Sequence, residues 1–326
     1  MARLVLGLGS SHSPQLSIPP DLWAQYAERD KRNPNLRRPD GSLCTYEELL
    51  ASVNGGLHKE LTSDVWQKRY DACQRGLSRL ADTLEAVSPD MLLVLGDDQN
   101  EVLHDDNMPV TLVYWGDTIH NVRRYQHTPS PVLQAAAWAY GPDGDYPVAS
   151  DLALHLIESL IDQEFDVAHS RHLPDKQGIG HAFSFLYGRL MPNKVLPIVP
   201  IMLNTYYPPN QPTPKRCYAL GQAIRRAVES WPNDCRVAVV ASGGLSHFVI
   251  DEELDQQTLT ALQQHDAATL TALPRQRLQA GNSEILNWIA AAGAVEHLDM
   301  QLIDYVPCYR SPAGTGCAMG FVQWGT

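Results

Sequence analysis

Short apolar runs alternate with amphipathic stretches along most of this chain. Runs rich in leucine or β-branched residues cover residues 4–8, 91–95, 110–114, 195–203 and 237–241. Each run is bounded by glycine, aspartate or proline and has the length of a strand that is buried on both faces. The pattern therefore predicts a central sheet that is covered on each side.

The stretches between these runs have helical periodicity. Apolar side chains recur every three or four residues within 63–87, where Ser63 or Asp64 is positioned to cap the helix. Residues 151–161, 218–228 and 254–270 form further predicted helices, with Glu284 at the start of another before an alanine-rich run. Strands that alternate with helices predict a layered α/β fold.

The stretch from residue 14 to residue 62 differs from the rest. It is polar, has few periodic apolar positions and includes a charged run over 29–35. Long excursions of this kind often cover a site on the surface of a domain. We interpret 14–62 as a lid rather than as a second core.

Composition excludes several classes of protein. The 326 residues are 44% hydrophobic and 19% charged, and the net charge of −12 has the wrong sign for tracking phosphate backbones. Six cysteines without a CxxC pair indicate reduced thiols in a cytoplasm. With neither a signal-peptide core nor an apolar run of ~18 residues, we expect a cytoplasmic protein with no nucleic-acid or membrane partner.

Polar loops follow several predicted strands. His12 follows the first, Gln99 lies in the loop 96–101 after the second, and His247 ends the loop 242–247 after the last. His181 follows two glycines and precedes what we predict to be a strand. Because such loops meet at the carboxyl edge of an open α/β sheet, we expect these side chains to converge.

This set of side chains favours a metal site. Histidine, glutamine and carboxylate ligands without thiolate suit Fe(II), Mn(II) or Zn(II), and two nitrogens with a carboxylate are typical of non-haem iron oxygenases. The spacing matches no short metal motif such as HExxH, so the pattern alone does not choose the ligands.

Three segments resemble a known family. They are the glycine-rich segment 7–14 with His12, the block 214–230 beginning Pro-Lys-Arg-Cys-Tyr-Ala-Leu-Gly, and Gly-Gly-Leu-Ser-His at 243–247. This set resembles the class III extradiol ring-cleaving dioxygenases, the superfamily of the protocatechuate 4,5-dioxygenase beta subunit. The Asp-Asp-Gln at 97–99 most resembles the 3-O-methylgallate and gallate dioxygenase branch. The resemblance implies a single three-layer α/β/α domain over 1–326 with a central mixed sheet and a helical insertion near the N-terminus.

The resemblance also implies an Fe(II) site of two histidines and a glutamate. His12 and Glu284 match two of these ligands, whereas the second histidine falls on Gln99. Either Gln99 coordinates through its amide oxygen, or His58 or His104 supplies the third ligand. Iron rather than manganese is likewise implied only by the family.

Other site roles carry over in the same way. The family's acid/base histidine falls on His247, and the histidine that contacts substrate falls on His181. The loop that binds a substrate carboxylate matches 312–317, where the usual hydroxyl and amide pair is replaced. We therefore assign the carboxylate to Thr315 or to the nearby Arg310.

The implied function is extradiol cleavage, with O2, of a catecholic acid of the 3-O-methylgallate, gallate or protocatechuate type. Segment 14–62 would replace the small subunit that caps the protocatechuate enzyme. Two alternatives remain: a Zn(II) hydrolase or amidase on the same scaffold, and a non-catalytic metal-binding homologue. The sequence leaves open the ring substituents and whether the chain forms a homo-oligomer.

Overall fold

A computed structural model describes residues 1–53, 55–125, 127–174 and 178–325. The strands within these ranges are β1 (Arg3–Ser10), β2 (Met91–Asp97), β3 (Thr111–Tyr114), β4 (Thr118–Asn121), β5 (Gly144–Pro147), β6 (Ala168–Ser170), β7 (Ile198–Leu203), β8 (Arg236–Ser242), β9 (His247–Val249), β10 (Asp299–Tyr309) and β11 (Thr315–Gly325). The α-helices are α1 (Trp23–Ala27), α2 (Tyr46–Ser52), α3 (Ser63–Val87), α4 (Pro131–Ala136), α5 (Ser150–Asp162), α6 (His181–Arg189), α7 (Pro214–Ser230), α8 (Glu252–Gln263), α9 (Ala267–Ala272) and α10 (Ile285–Ala294). Short 3-10 helices cover Pro14–Ser17, Pro20–Leu22, Asp30–Arg32, His58–Leu61, Ala137–Tyr140 and Ala280–Glu284.

The central sheet is mixed, as predicted. Its strands lie in the order β10-β11-β1-β8-β2-β7-β3-β6, and β9 pairs with β11. Strands β1, β8, β2 and β7 are parallel, whereas β3 runs antiparallel to β7 and β11 antiparallel to β1. The parallel strands form the middle of the sheet, where both faces are buried.

Each face of the sheet packs against its own layer of helices. Leu93 and Leu95 of β2 join one core with α5, α7, α8, α9 and α10, and Leu92 and Val94 join the other with α3, α4 and α6. Successive side chains of a strand point to opposite faces, so one apolar run supplies both cores. The α/β class and the three layers are confirmed, and the architecture is consistent with a single domain.

Two helices differ from their predicted bounds. Helix α3 is capped by Thr62, whose side chain accepts a hydrogen bond from the backbone of Val65, and not by Ser63 or Asp64. The single helix predicted over 254–270 is wrong. It divides into α8 and α9 because His265 has a φ of 53° and the Asp266 side chain caps α9.

Three strand predictions also change. The strand predicted from residue 195 begins at Ile198, because the N–H of Leu196 donates to the sulfur of Met191 instead of to a neighbouring strand. The residues after Gly180 form helix α6 and not the strand that we predicted. The long hairpin of β10 and β11 was not predicted at all.

Segment 14–62 is an insertion of two short helices and several 3-10 turns, which confirms the helical insertion near the N-terminus. A small core made by Leu36, Tyr46, Leu49 and Ala313 joins it to the end of the sheet. Trp23 is also buried, at 6.0 Å from the ring of Trp66 on α3. The insertion is therefore packed on the domain, while its action as a lid stays a prediction.

The topology brings three loops to one edge of the sheet. Strand β8 lies between β1 and β2 with all three parallel, and Ser10 is in register with Ser242. The loops after these strands therefore open side by side. Among the described residues, no helix is both long and apolar enough to cross a membrane.

Candidate metal centre and active-site cavity

Three buried side chains meet where these loops open. His12, Asp97 and Glu284 each place a ligand atom within 4.8 Å of the others. Their exposed fractions are 3%, 1% and 1%. His12 follows β1, Asp97 ends β2, and Glu284 ends the 3-10 helix that leads into α10. Two predicted ligands are thus brought together, and Asp97 joins them.

The imidazole of His12 is held with one nitrogen directed at the cluster. The hydroxyl of Ser242 donates to the carbonyl of Ala182, so its oxygen accepts a hydrogen bond from Nδ1 of His12 at 2.8 Å. Nε2 therefore carries the lone pair, and it has no hydrogen-bond partner among the described residues. Burial lowers the pKa of His12, which favours the neutral ring that binds metals.

Glu284 lies at the centre of the cluster. Its Oε1 accepts a hydrogen bond from Nε2 of Gln99 at 2.8 Å and lies 3.2 Å from Nε2 of His247, while Oε2 accepts the backbone N–H of Gly244. Burial favours the neutral acid. The adjacent His247 nevertheless holds the pKa of this carboxyl well below its usual range.

Asp97 is a second buried acid beside Glu284. Its carboxylate accepts hydrogen bonds of 3.3 Å each from the amides of Asn287 and Gln99. Burial and the negative charge of Glu284 raise the pKa of Asp97 to about 8. A cation bound between the two acids would remove the repulsion that raises it.

The alternative third ligands occupy different places. Gln99 reaches the cluster, where its amide donates to both acids. His58 and His104 are exposed, and neither lines the cavity over this cluster. Asp98 is buried but turned to its own loop, where it accepts the backbone N–H groups of residues 101–103. Of the three alternatives, only Gln99 lies at the cluster.

His247 faces the cluster from the loop after β8. Its Nδ1 donates to the carbonyl of Leu245 at 2.8 Å, which leaves Nε2 directed at Glu284. The backbone N–H of His247 donates to the side chain of Asn282, two residues before Glu284. Burial opposes the charged ring, yet Glu284 and the Leu245 carbonyl raise the pKa of His247 overall.

His181 enters from the first turn of α6 and is oriented by Glu101. The Oε2 atom of Glu101 accepts both the backbone N–H and Nδ1 of His181, each at 2.9 Å. A Cβ on Gly180 would lie 2.5 Å from that oxygen, so this approach requires glycine. Burial opposes the charged ring, but Glu101 raises the pKa of His181 to about 9. Its ring lies 4.6 Å from that of His12.

The three histidines and Glu284 line one cavity of about 380 Å³, a volume suited to a single aromatic ring with its substituents. Six predicted site residues line it: His12, Gln99, His181, His247, Glu284 and Arg310. Thr315 does not, because its hydroxyl lies 2.5 Å from Asp30 and 2.6 Å from Ser311.

The residues present fit a divalent cation. Among the described residues, no lysine or arginine forms an ion pair with either buried carboxylate. Together with the lone pair of His12, the two carboxylates form a set of hard and borderline donors. The nitrogen of His12 that has no hydrogen-bond partner faces the same point as the two acids. Iron, manganese and zinc all accept such donors.

Two residues of this site were missed by the sequence reasoning. Asp97 was assigned to the loop, although the final residue of a parallel strand beside β8 is a position from which ligands are often supplied. Glu101 pairs with a histidine 80 positions away, and no local pattern signals such a contact.

Comparison with known proteins finds ring-cleaving dioxygenases that are similar to parts of this chain. A gallate dioxygenase of Pseudomonas putida is 33% identical over 171 residues, 46% of this chain and 47% of that protein. A 2,3-dihydroxyphenylpropionate/2,3-dihydroxicinnamic acid 1,2-dioxygenase of Comamonas testosteroni is 27% identical over 176 residues, 54% of this chain and 49% of that protein. The corresponding enzyme of Cupriavidus necator is 36% identical over 127 residues, 38% of this chain and 39% of that protein.

The matched segments span at most about half the length of these relatives. A family model matches much more of the chain, over residues 49–314, and describes the catalytic LigB subunit of aromatic ring-opening dioxygenase. That match confirms the resemblance inferred from the sequence. The chain belongs to this metal-dependent family of aromatic ring-opening dioxygenases.

Proposed function

We propose that this chain is a non-haem Fe(II)-dependent extradiol dioxygenase that opens the ring of a catecholic acid with O2. The observation that carries the proposal is the buried cluster of His12, Asp97 and Glu284, whose ligand atoms lie within 4.8 Å of one another. His12 and Glu284 line the same cavity as His247 and His181. The named relatives act on gallate and on dihydroxyphenylpropionate, which supports a substrate with adjacent hydroxyl groups and a carboxylate.

His12, Asp97 and Glu284 would hold the metal, with Gln99 as the neighbouring amide. When bound, Fe(II) supplies Lewis acidity toward adjacent hydroxyl groups and redox chemistry toward dioxygen. The protein contributes buried ligands in fixed orientations. Ser242 keeps the lone pair of His12 directed inward, and Gln99 and Gly244 hold the carboxylate of Glu284.

His247 would move the proton. Because Nδ1 is committed to the Leu245 carbonyl, Nε2 is the atom that accepts a proton from a catechol hydroxyl in the cavity. The same atom can return the proton later in the reaction, when the ring opens. The raised pKa of His247 suits a base that holds the proton between these two steps.

His181 would bind a substrate oxygen. Glu101 fixes Nδ1, so Nε2 is the ring nitrogen left to donate a hydrogen bond inside the cavity. The overall reaction breaks the ring bond next to the diol, and both atoms of O2 enter the product as the new carbonyl and carboxylate oxygens. No external reductant is needed.

Segment 14–62 would close the cavity as a lid. It supplies Pro14, Tyr26 and Arg29 to the cavity wall. The six cysteines are free thiols, which supports the expected cytoplasmic location. Both statements remain predictions.

A second candidate function has one observation in its favour. The cluster has one histidine and two carboxylates, a set that also suits Zn(II)-activated water in a hydrolase. That reaction needs no oxygen. Activity under nitrogen would therefore favour the hydrolase over the dioxygenase.

Oxygen consumption tests the proposal. The protein is reconstituted with Fe(II) under nitrogen, and 3-O-methylgallate, gallate and protocatechuate are then added in air while absorbance is recorded. We expect one O2 consumed per substrate and a new absorbing product. No uptake with any of the three, in protein that retains bound iron, would contradict the proposed function.

A further inference from the structure

Three arginines line the cavity: Arg29, Arg124 and Arg310. The substrates named for the relatives carry a carboxylate, and planar guanidinium groups are well suited to bind one. The arginine that binds a substrate carboxylate needs N–H donors that are not already bonded within the protein. A guanidinium that is paired with a protein carboxylate would have to weaken that ion pair in order to bind a second one.

Arg310 is already paired inside the protein, where three of its five N–H donors are in use. Its Nε and Nη2 donate to the two oxygens of Asp30 at 2.8 Å each, and Nη1 donates to Gln15 at 2.8 Å. Arg310 is 6% exposed and Asp30 4%. Thr315 donates to the same aspartate and does not face the cavity. Arg310 therefore braces the insertion against the sheet.

Arg29 lies at the solvent end. Its side chain is exposed, and its guanidinium carbon lies 5.5 Å from the centre of the Tyr26 ring. A carboxylate bound there would stay hydrated, which makes the contribution of the ion pair small.

Arg124 lies in the cavity wall, where Glu101 and Tyr140 hold it. Its Nη2 donates to the carbonyl of Glu101 at 3.0 Å, and its guanidinium lies 5.7 Å from the ring centre of Tyr140. Nη1 forms an ion pair with the Glu101 carboxylate at 3.8 Å, which is beyond hydrogen-bond distance. Within the described ranges, neither Nε nor Nη1 makes a hydrogen bond. The side chain is 28% exposed, so it is partly shielded from water.

A series of ring contacts leads from the metal cluster to Arg124. The ring of His181 lies 4.6 Å from that of His12, and the ring of Tyr140 lies 5.6 Å from that of His181. The guanidinium of Arg124 lies against the ring of Tyr140 in turn. A benzene ring whose hydroxyls lie at the cluster occupies the cavity that Arg124 lines, and it can direct a substituent at Arg124.

We propose that Arg124 binds the anionic substituent of the substrate and selects catecholic acids over uncharged catechols. This inference rests on the proposed function and names its substrate class. The guanidinium would form a charge-assisted hydrogen-bonded pair with the carboxylate, while Glu101 and Tyr140 keep it in place. The interaction is made with the bound substrate and is retained during reaction, so its loss raises KM more than it lowers kcat.

The test compares protocatechuate with unsubstituted catechol in Arg124→Gln, Arg124→Lys and Arg123→Gln. Arg123 is a matched control because it stacks on Trp138 at 4.0 Å and does not line the cavity. We expect Arg124→Gln to raise KM for protocatechuate about 10- to 100-fold, from the worth of a charge-assisted hydrogen bond. KM for catechol in Arg124→Gln should change less than about 3-fold, and so should KM for each of the two substrates in Arg123→Gln. Arg124→Lys should recover part of the loss.

Equal effects on the two substrates would overturn the inference, and so would an unchanged KM for protocatechuate. Equilibrium dialysis of the same two probes under nitrogen separates this failure from failure of the proposed function. If the reconstituted protein turns over neither substrate, the proposed function fails. If the wild type binds protocatechuate more tightly than catechol and Arg124→Gln does not, the inference is still supported. If the wild type binds both probes equally tightly, the inference is overturned.

Discussion

A single serine decides how His12 can act. Because the Ser242 hydroxyl is committed as a donor to the Ala182 carbonyl, it can only accept from His12, and this fixes the tautomer that directs a lone pair at the cluster. Partners of this kind usually hold a ligand ring in place without touching the metal themselves.

Ser242→Ala should therefore weaken metal binding about 10- to 100-fold, the range found when such partners of ligands are removed. A chelator competition titration measures the affinity. Ser184→Ala is the matched control, since Ser184 is buried on the adjoining helix and its hydroxyl has no partner among the described residues. Equal affinities in the wild type and Ser242→Ala would contradict the tautomer assignment.

His12 and His247 should fail in different ways. His12→Ala should lose the metal, because it removes the only nitrogen in the cluster. His247→Ala should keep the metal and lose about 100- to 10,000-fold in kcat, as expected for an acid/base group. Metal analysis beside turnover separates the two. Full metal content in His12→Ala would exclude His12 as a ligand.

At the scale of elements, Asp255 on α8 anchors the loop that carries His247. Its carboxylate accepts hydrogen bonds from the backbone and hydroxyl of Ser246 and from Tyr305. Burial raises the pKa of Asp255 from its ordinary 3.8 to about 7. The folded protein therefore binds a proton more tightly here than the unfolded chain does.

The sign of the pH effect follows. Asp255 contributes stability that is full below about pH 4 and is lost as pH rises through about 7. Asp255→Asn should abolish this pH dependence. As pH rises, the free energy of unfolding of the wild type should therefore fall relative to that of Asp255→Asn, by up to about 1.4 kcal/mol for each unit by which the pKa of Asp255 in the folded protein exceeds that in the unfolded chain. Urea unfolding of the metal-free proteins between about pH 5 and about pH 8 measures it. Parallel pH profiles would contradict the prediction.

The insertion is joined to the sheet by one buried ion pair. Asp30 and Arg310 each have a side chain that is 5% exposed, at 2.8 Å from each other. Asp30→Asn leaves the arginine charge without its partner, and we expect a loss of about 3–5 kcal/mol in the free energy of unfolding. Urea unfolding measures this loss. A double variant, Asp30→Leu with Arg310→Met, should recover much of it, and no recovery would mean that the pair is not the cause.

The local sequence was sufficient to predict many of the strands and helices. The apolar runs predicted β1, β2, β3 and β8 to within two residues at either end, because strands buried on both faces form continuous apolar runs. The break between α8 and α9 was missed, since it depends on a left-handed residue at His265. The β10–β11 hairpin was missed because polar residues interrupt the apolar positions of its partly buried first strand, which therefore forms no continuous apolar run.

For the whole molecule, strand order decides which residues meet. The sequence indicated loops that would converge, and His12, Gln99, His181, His247 and Glu284 do line one cavity. Periodicity could not show that β8 lies between β1 and β2, and this placement brings Asp97 to Glu284. It also could not show that Arg310 pairs with Asp30, which leaves Arg124 as the partly shielded cavity arginine that has N–H donors free for a substrate.

The proposed function requires that the protein incorporates both atoms of O2 into a catecholic acid bound in this cavity. The most direct measurement is mass spectrometry of the product formed from protocatechuate or gallate under ¹⁸O₂ by the iron-reconstituted protein. We expect a ring-opened product that carries two ¹⁸O atoms, before any exchange of its aldehyde oxygen with water. A product with oxygen only from water, or formation of product under nitrogen, would contradict it.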